Sequence, residues 1–181
     1  EHFGGAFYLY KGGTLESHMS QIKNSVAEIG AGVYAKDQSH VETNEVTIAI
    51  SKCLKGKKCK GGGLYIGDKS TAIIKDTLVL NCGDDQFSHG GGMYIEEAST
   101  IAFEGSTVQQ CKAEFAGGIF VQDYSTLNLK NSNLYNNVAR LYNGGGLYIK
   151  KTEYVTVEGG SFVNNSANAH GGGIYYHVDG S

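Results

Sequence analysis

A short glycine-rich motif recurs along the chain and constrains the fold more than any other feature. In it, three glycines precede an apolar residue, an aromatic residue and a second apolar residue, as in Gly61-Gly62-Gly63-Leu64-Tyr65-Ile66. Four copies are complete and three are looser, and their aromatic residues are Tyr8, Tyr34, Tyr65, Tyr94, Phe120, Tyr148 and Tyr175. Successive aromatic residues are 26–31 positions apart. A unit of this size does not bury its own apolar face, so the repeats are expected to stack and share one core.

Within each repeat, apolar residues recur with a period of two. If the aromatic residue is position 0, positions +7 and +14 are apolar in all six full repeats. These positions hold Leu15, Val41, Ala72, Ile101, Leu127 and Val155, and Ile22, Ile48, Val79, Val108, Leu134 and Phe162. Alternation over short runs broken by Gly, Ser and Asn is typical of half-buried strands. The distance from position +16 to the next aromatic residue varies from 10 to 15, so a loop of variable length completes each repeat.

These strands predict an all-β fold, a right-handed parallel β-helix (β-solenoid) with three short strands per coil. Each coil comprises about 26–31 residues, and the chain contains six full coils and a partial seventh. The right-handed sense follows from the preference of parallel crossover connections. The absence of proline agrees, because inner strands use every ladder hydrogen bond. Residues 1–181 are therefore expected to form a single repeat domain.

The seven aromatic residues are expected to form a row that points away from the core, because both neighbours of each one point inward. At the spacing of adjacent coils their rings stack on one another, which is favourable in itself. Two interpretations of the row stay open at this point. It is either a structural feature or an exposed surface that binds a ligand or partner, since so long an apolar stripe is unusual on a monomer.

Position +16 is asparagine in four repeats, namely Asn24, Asn81, Asn136 and Asn164. Counting by twos from position +14 places these side chains inside the coil. Stacked amides would bond to one another and to the backbone at the corner, so a structural Asn ladder is predicted. Asn164 also begins the only N-glycosylation sequon, Asn164-Asn165-Ser166, but an inward side chain would not be available to carry a glycan.

The chain has four cysteines. Cys53 and Cys59 flank a lysine-rich loop that a disulfide could close. Cys82 and Cys111 share position +17 of adjacent coils, so they are either within bonding range or two buried thiols. Because no Cys-x-x-Cys spacing occurs, a structural zinc site is not expected, and the sequence implies no metal and no cofactor.

Charge and hydropathy exclude two classes of partner. The chain carries 18 acidic and 15 basic residues, a net charge of −3, which gives no electrostatic footprint for nucleic acid. No run approaches the 18 apolar residues of a membrane-spanning helix, so the chain is not expected to cross a bilayer.

One loop contains residues suited to chemistry. Gly83-Asp84-Asp85 resembles the Gly-Asp-Asp motif of polygalacturonase-type β-helices, and paired carboxylates can perform acid–base work on a sugar. The Asn-Thr-Asp and Arg-Ile-Lys motifs of that family are missing from this chain. A polysaccharide-binding or polysaccharide-degrading protein that uses Asp84 and Asp85 is therefore the alternative function.

A second resemblance covers nearly the whole chain. The segment Phe162-Val163-Asn164-Asn165-Ser166-Ala167, followed by Gly171-Gly172-Gly173-Ile174, is similar to the repeat of the polymorphic membrane proteins of chlamydial autotransporters. That family alternates a Phe-x-x-Asn motif with a Gly-Gly-Ala-Ile type motif. The resemblance implies an exported, extracellular or cell-surface β-helix that is not an enzyme and acts as an adhesin or scaffold. Host or surface glycans and proteins are the implied partners.

The terminal coils lead to a further expectation. The sequence starts within one glycine motif and stops just after another, so apolar core residues lie in both outermost coils. Uncovered coils can pair with other coils. We therefore expect either contact with other parts of a longer chain or end-to-end self-association into a filament.

Overall fold

The computed structural model describes residues 2–54, 58–83, 88–152 and 154–177. These residues form strands and turns and contain no helix. Each full coil contributes one strand to each of three long parallel sheets, and neighbours within a sheet come from successive coils. The chain therefore winds as a solenoid, as its repeats predict.

The bounds of the strands repeat from coil to coil. The first sheet contains Phe7–Leu9, Val33–Ala35, Leu64–Ile66, Met93–Ile95, Ile119–Gln122, Leu147–Lys150 and Ile174–His177. The second sheet contains Thr14–His18, His40–Asn44, Thr71–Lys75, Thr100–Glu104, Thr126–Lys130 and Tyr154–Glu158. The third sheet contains Gln21–Lys23, Thr47–Ala49, Leu78–Leu80, Thr107–Gln109, Asn133–Tyr135 and Ser161–Val163.

The register of these sheets places equivalent positions of successive repeats side by side. Tyr65 pairs with Tyr34 on one side and with Tyr94 on the other, and Val108 pairs with Leu134 in the third sheet. Seven strands in the first sheet and six in each of the others correspond to six full coils and a partial seventh. The predicted parallel β-solenoid is confirmed.

Most coils have more strands than the three that were predicted. Two-residue strands follow the third sheet at Val26–Ala27, Lys52–Cys53, Lys112–Ala113, Val138–Ala139 and Ser166–Ala167. A further pair, Cys59–Lys60 and Ser88–His89, lies just before the first sheet. The sequence pattern did not show these strands because two residues are too few to display alternation.

The main core lies inside the solenoid and is filled by alternate residues of the three sheets. Its largest fully buried side chain is that of Phe103, and Leu64, Ile74, Met93 and Leu134 are also fully buried. Their register neighbours occupy the next coil, so the core is continuous along the axis.

The predicted Asn ladder is wrong. Asn24, Asn81, Asn136 and Asn164 are exposed, and each adopts a positive φ of between 51° and 57°. A left-handed residue just after a strand bends the chain at a corner of the coil, so counting by twos no longer applies there. The exposure of Asn164 also removes the reason for excluding a glycan at its sequon.

The inward position is the next one, +17. There Asn137 is fully buried, its Oδ1 accepts a hydrogen bond from the backbone N–H of Cys111 at 3.0 Å, and its Nδ2 donates to the carbonyl oxygen of Val108 at 2.9 Å. Asn165 repeats the pattern by donating to the carbonyl oxygen of Leu134 at 2.7 Å. An amide ladder therefore exists, displaced by one residue from the predicted one.

The four cysteines divide into two pairs. A disulfide joins Cys53 to Cys59, whose Cα atoms are 5.6 Å apart. Cys82 and Cys111 are separate, buried thiols, and the backbone N–H of Cys82 donates to the Sγ of Cys111 at 3.4 Å. Burial raises the pKa of Cys111, so this thiol stays protonated.

Candidate functional site

The aromatic row lies on the outer face of the first sheet, but most of it is not an exposed surface. Tyr34, Tyr65, Tyr94, Phe120 and Tyr148 are each 6% exposed or less and form a second hydrophobic cluster outside the main core. Their ring centroids are 4.7–5.9 Å apart, and successive rings are within 12° of parallel.

The interpretation of the aromatic row as an exposed binding surface is therefore wrong for its five central residues. Tyr8, in the first coil, is 53% exposed, and Tyr175, in the last, is partly buried. The period of two correctly indicates which face each ring occupies. It gives no information about the irregular segments that fold over that face.

A second row of side chains covers the aromatic row. It contains the residue five positions before each of the first five aromatic ones, namely Phe3, Ile29, Lys60, His89 and Phe115, which pair in register from coil to coil. The rings of His89 and Phe115 stack at 4.8 Å and 6°. We call these five residues the cover row. Its constant spacing from the aromatic residues is a signal in the sequence that the period of two does not reveal.

Where the cover row contains a lysine, a buried carboxylate lies opposite. Glu96 is 5% exposed, and Lys60 Nζ lies 2.7 Å from its Oε1 and 2.9 Å from its Oε2. The phenols of Tyr65 and Tyr94 donate to the same carboxylate at 2.7 and 3.0 Å, and Gln122 Nε2 donates at 3.1 Å. We call these five residues the Glu96 cluster.

The electrostatics of the Glu96 cluster follow from these contacts. Burial opposes the ionisation of Glu96, but the hydrogen bonds and charge of Lys60, with the phenols, lower the pKa of Glu96 below its ordinary value. Burial, and then the charge of Glu96, raises the pKa of Tyr65 and of Tyr94. At neutral pH the cluster is one carboxylate held by one ammonium and two neutral phenols.

This arrangement suits Glu96 to anchoring rather than to proton transfer. Both carboxylate oxygens already accept hydrogen bonds, and a carboxyl whose pKa is lowered is a poor general acid and a poor base. Lys60 Nζ also lies 4.8 Å from the centre of the Tyr94 ring, so the ammonium contacts the aromatic row directly. The cluster thus fastens the cover row to the first sheet.

A glycine makes the reach of Tyr65 possible. Gly67 follows Tyr65 by two residues, and a Cβ at Gly67 would lie 2.6 Å from the phenolic oxygen of Tyr65 and 2.9 Å from its ring. The missing side chain leaves the space through which this phenol reaches Glu96 in the next coil.

Gly67→Ala is expected to lower the free energy of unfolding by about 1–3 kcal/mol, the cost of losing a buried hydrogen bond to a charged group. Tyr65→Phe removes the same bond without crowding. Urea denaturation of both variants and of the double variant measures the coupling between them. If the two costs simply add, the alanine does not act through Tyr65.

His89 is the fourth residue of the cover row, between Lys60 and Phe115. Its ring meets that of Phe120 edge to face at 5.5 Å and 78°. Burial, followed by the positive charge of Lys60, lowers the pKa of His89. The imidazole is therefore neutral at physiological pH and packs as an aromatic ring beside Phe115.

Two cavities flank the Glu96 cluster, and Lys58 and Lys60 line both of them. One, of about 410 Å³, lies towards the later coils beside Phe120, and the other, of about 520 Å³, lies towards the earlier coils beside Tyr34. Asp84 and Asp85, the predicted alternative catalytic residues, lie outside the described residues. Among the residues that are described, no three His, Cys, Asp or Glu side chains converge to hold a metal ion. The same part of the chain contains no helix long and apolar enough to cross a membrane.

Comparison with known proteins agrees with this architecture. Residues 5–181 match the family described as the right-handed β-helix region. No curated protein and no solved structure matches the chain. The family match spans almost all of the chain and assigns the right-handed sense to the parallel solenoid. This chain belongs to the right-handed β-helix family.

Proposed function

We propose that this β-helix is a non-enzymatic extracellular scaffold of a cell-surface adhesin or surface filament. The main support is that the Glu96 cluster has a structural role. The buried carboxylate on the outer face of the first sheet, where the two cavities lie, has its oxygens occupied by Lys60, Tyr65, Tyr94 and Gln122. The Glu96 carboxylate therefore binds neighbouring coils together and is not available to act on a substrate.

Two further features support an extracellular location. A disulfide between Cys53 and Cys59 persists in oxidising compartments and is rare in reducing ones. The repeats also resemble those of the polymorphic membrane proteins, and that resemblance implies an exported surface β-helix. The match to the right-handed β-helix family establishes the fold. A fold alone does not assign a function, so the surface role is part of the proposal.

The outermost described coils support assembly through coil-to-coil contact. Ile174 is 43% exposed, whereas its register partner Leu147 is fully buried, and Tyr176 is 60% exposed against 9% for Ile149. Exposed apolar side chains of this kind are suited to packing against a β-helical coil of a second copy. A head-to-tail contact between copies does not close and builds a filament.

Sedimentation of the purified chain tests the assembly. We expect concentration-dependent association that Ile174→Lys abolishes. Tyr124→Lys, at a 69% exposed position in the middle of the solenoid, serves as the control and should leave association unchanged. A chain that stays monomeric at every concentration would contradict self-association.

The alternative function has its own test. Acidic polysaccharides incubated with the protein should yield no new reducing or unsaturated ends, and Asp84→Asn and Asp85→Asn should change nothing. Turnover that either substitution removes would replace the scaffold proposal with a polysaccharide-degrading enzyme.

A further inference from the structure

The cavity of about 410 Å³ is built from both rows of rings. Tyr94, Phe120 and Tyr148 of the aromatic row form its floor, and His89 and Phe115 of the cover row form a wall. This volume falls within the range of small-molecule sites, which are mostly apolar with a few placed polar groups. We call it the ring cavity.

The two sets of rings meet almost at right angles. Phe115 lies 85° from the plane of Tyr148 at 6.1 Å, and His89 lies 78° from the plane of Phe120 at 5.5 Å. The wall continues beyond the cavity, because Tyr142 stacks on Phe115 at 3.9 Å. Perpendicular aromatic surfaces offer both faces and edges to a flat apolar body, which is the arrangement that aromatic groups prefer.

The polar lining is predominantly cationic. Lys58, Lys60 and Lys150 line the ring cavity against one carboxylate, that of Glu114. Lys60 is paired with Glu96, so Lys58 and Lys150 face the single carboxylate of Glu114 and leave an excess of one positive charge. The backbone of both lysines adjoins ordered structure: Lys58 precedes the disulfide-bonded Cys59, and Lys150 ends the strand Leu147–Lys150.

A flat apolar interior and a cationic lining select one class of ligand. We propose that the ring cavity binds a small organic anion, in which a planar aromatic body lies against the rings and a carboxylate or sulfonate meets Lys58 and Lys150. Gln122, which also lines the cavity, supplies a neutral polar neighbour. The inference does not rest on the proposed scaffold function, because it depends only on the shape and charge of this cavity.

Three probes of equal size and different charge test the proposal: naphthoate, naphthylmethanol and naphthylmethylamine. Heteronuclear NMR titration of the whole chain gives both the affinity and the location of each. We expect naphthoate to bind roughly tenfold more tightly than the neutral alcohol, the effect of one charge-assisted hydrogen bond. The cationic amine should bind most weakly, and the shifts should centre on His89, Phe115 and Phe120.

Matched variants separate charge from shape. The double variant Lys58→Gln, Lys150→Gln should lose the preference for naphthoate over naphthylmethanol. Lys23→Gln with Lys112→Gln removes the same charge from exposed residues outside the cavity and should keep the tenfold preference. Phe115→Leu shortens the aromatic wall and should weaken all three probes together. The NMR spectrum of each variant reports whether it is folded.

Two results would overturn the proposal. One is equal binding of the three probes by the unmodified protein. The other is a set of shifts centred on the outermost coils, at Tyr8 or Tyr176, with none at the ring cavity.

Discussion

Gly91→Ala is expected to prevent stable folding, with a loss of about 4 kcal/mol or more. A Cβ at this position would overlap the carbonyl oxygen of Lys112 and lie 2.6 Å from that of Gly117. Both atoms belong to the backbone of the next coil, and Gly91 N–H donates to the carbonyl of Ala116 there at 3.0 Å. No side chain can move aside, so the coils themselves would have to separate.

The control is Gly173→Ala, in an equivalent glycine motif. A Cβ there would meet only the Cβ of Phe162, at 4.0 Å. Its φ is not in the left-handed region, so this substitution should be neutral or stabilise by about 0.4–1 kcal/mol. Circular dichroism and urea denaturation of the two variants give the comparison. If both alanine variants had the same free energy of unfolding, the glycine motif would be needed for the turn of the backbone and not for close contact between coils.

The glycine motif illustrates how much of the fold could be predicted. Its recurrence was enough to predict stacked coils, since seven copies at nearly constant spacing cannot be accommodated otherwise. That Gly91 lies against the backbone of its neighbouring coil could not be predicted, because it depends on how closely one coil approaches the next. The corresponding Gly62 and Gly117 are buried against backbone atoms in the same way.

The Asn positions show where counting along the sequence fails. The period of two holds while the backbone is extended, so Leu134 and Val108 were assigned to the core correctly. It fails at Asn136, where φ is 53° and the chain turns. The buried amide is that of Asn137, one residue later. An asparagine that tolerates positive φ and an asparagine that fills a core look the same in a sequence.

The Glu96 cluster could not be predicted from the alternation of apolar residues. Lys60 and Glu96 are 36 residues apart, and they meet because irregular segments of different length bring the cover row over the aromatic row. Loop length varies between the repeats and carries no periodicity. One positional clue exists: the residue five places before the aromatic one is Phe3, Ile29 and Phe115 in the first, second and fifth repeats, and it is Lys60 in the third.

Phe103→Ala and Phe120→Ala are expected to destabilise the protein by similar amounts, about 3–5 kcal/mol each. Phe103 is fully buried in the main core, and Phe120 is 3% exposed in the second cluster. Each substitution leaves a cavity of the same size, on the inner face of the solenoid for Phe103 and on the outer face for Phe120. Phe120 also loses parallel ring contacts with Tyr94 at 5.1 Å and Tyr148 at 4.7 Å.

The comparison is a direct test of whether the cover row closes the outer face. If that face were open to water, Phe120 would lose only part of its burial, and Phe120→Ala would cost much less than Phe103→Ala. Tyr124→Ala, at a side chain that is 69% exposed, supplies the reference for an aromatic ring in solvent and should stay within about 0.5 kcal/mol of the unmodified protein. Urea denaturation ranks the three. A Phe120 value close to that of Tyr124 would mean that the cover row opens in solution, and the ring cavity would then lose its wall.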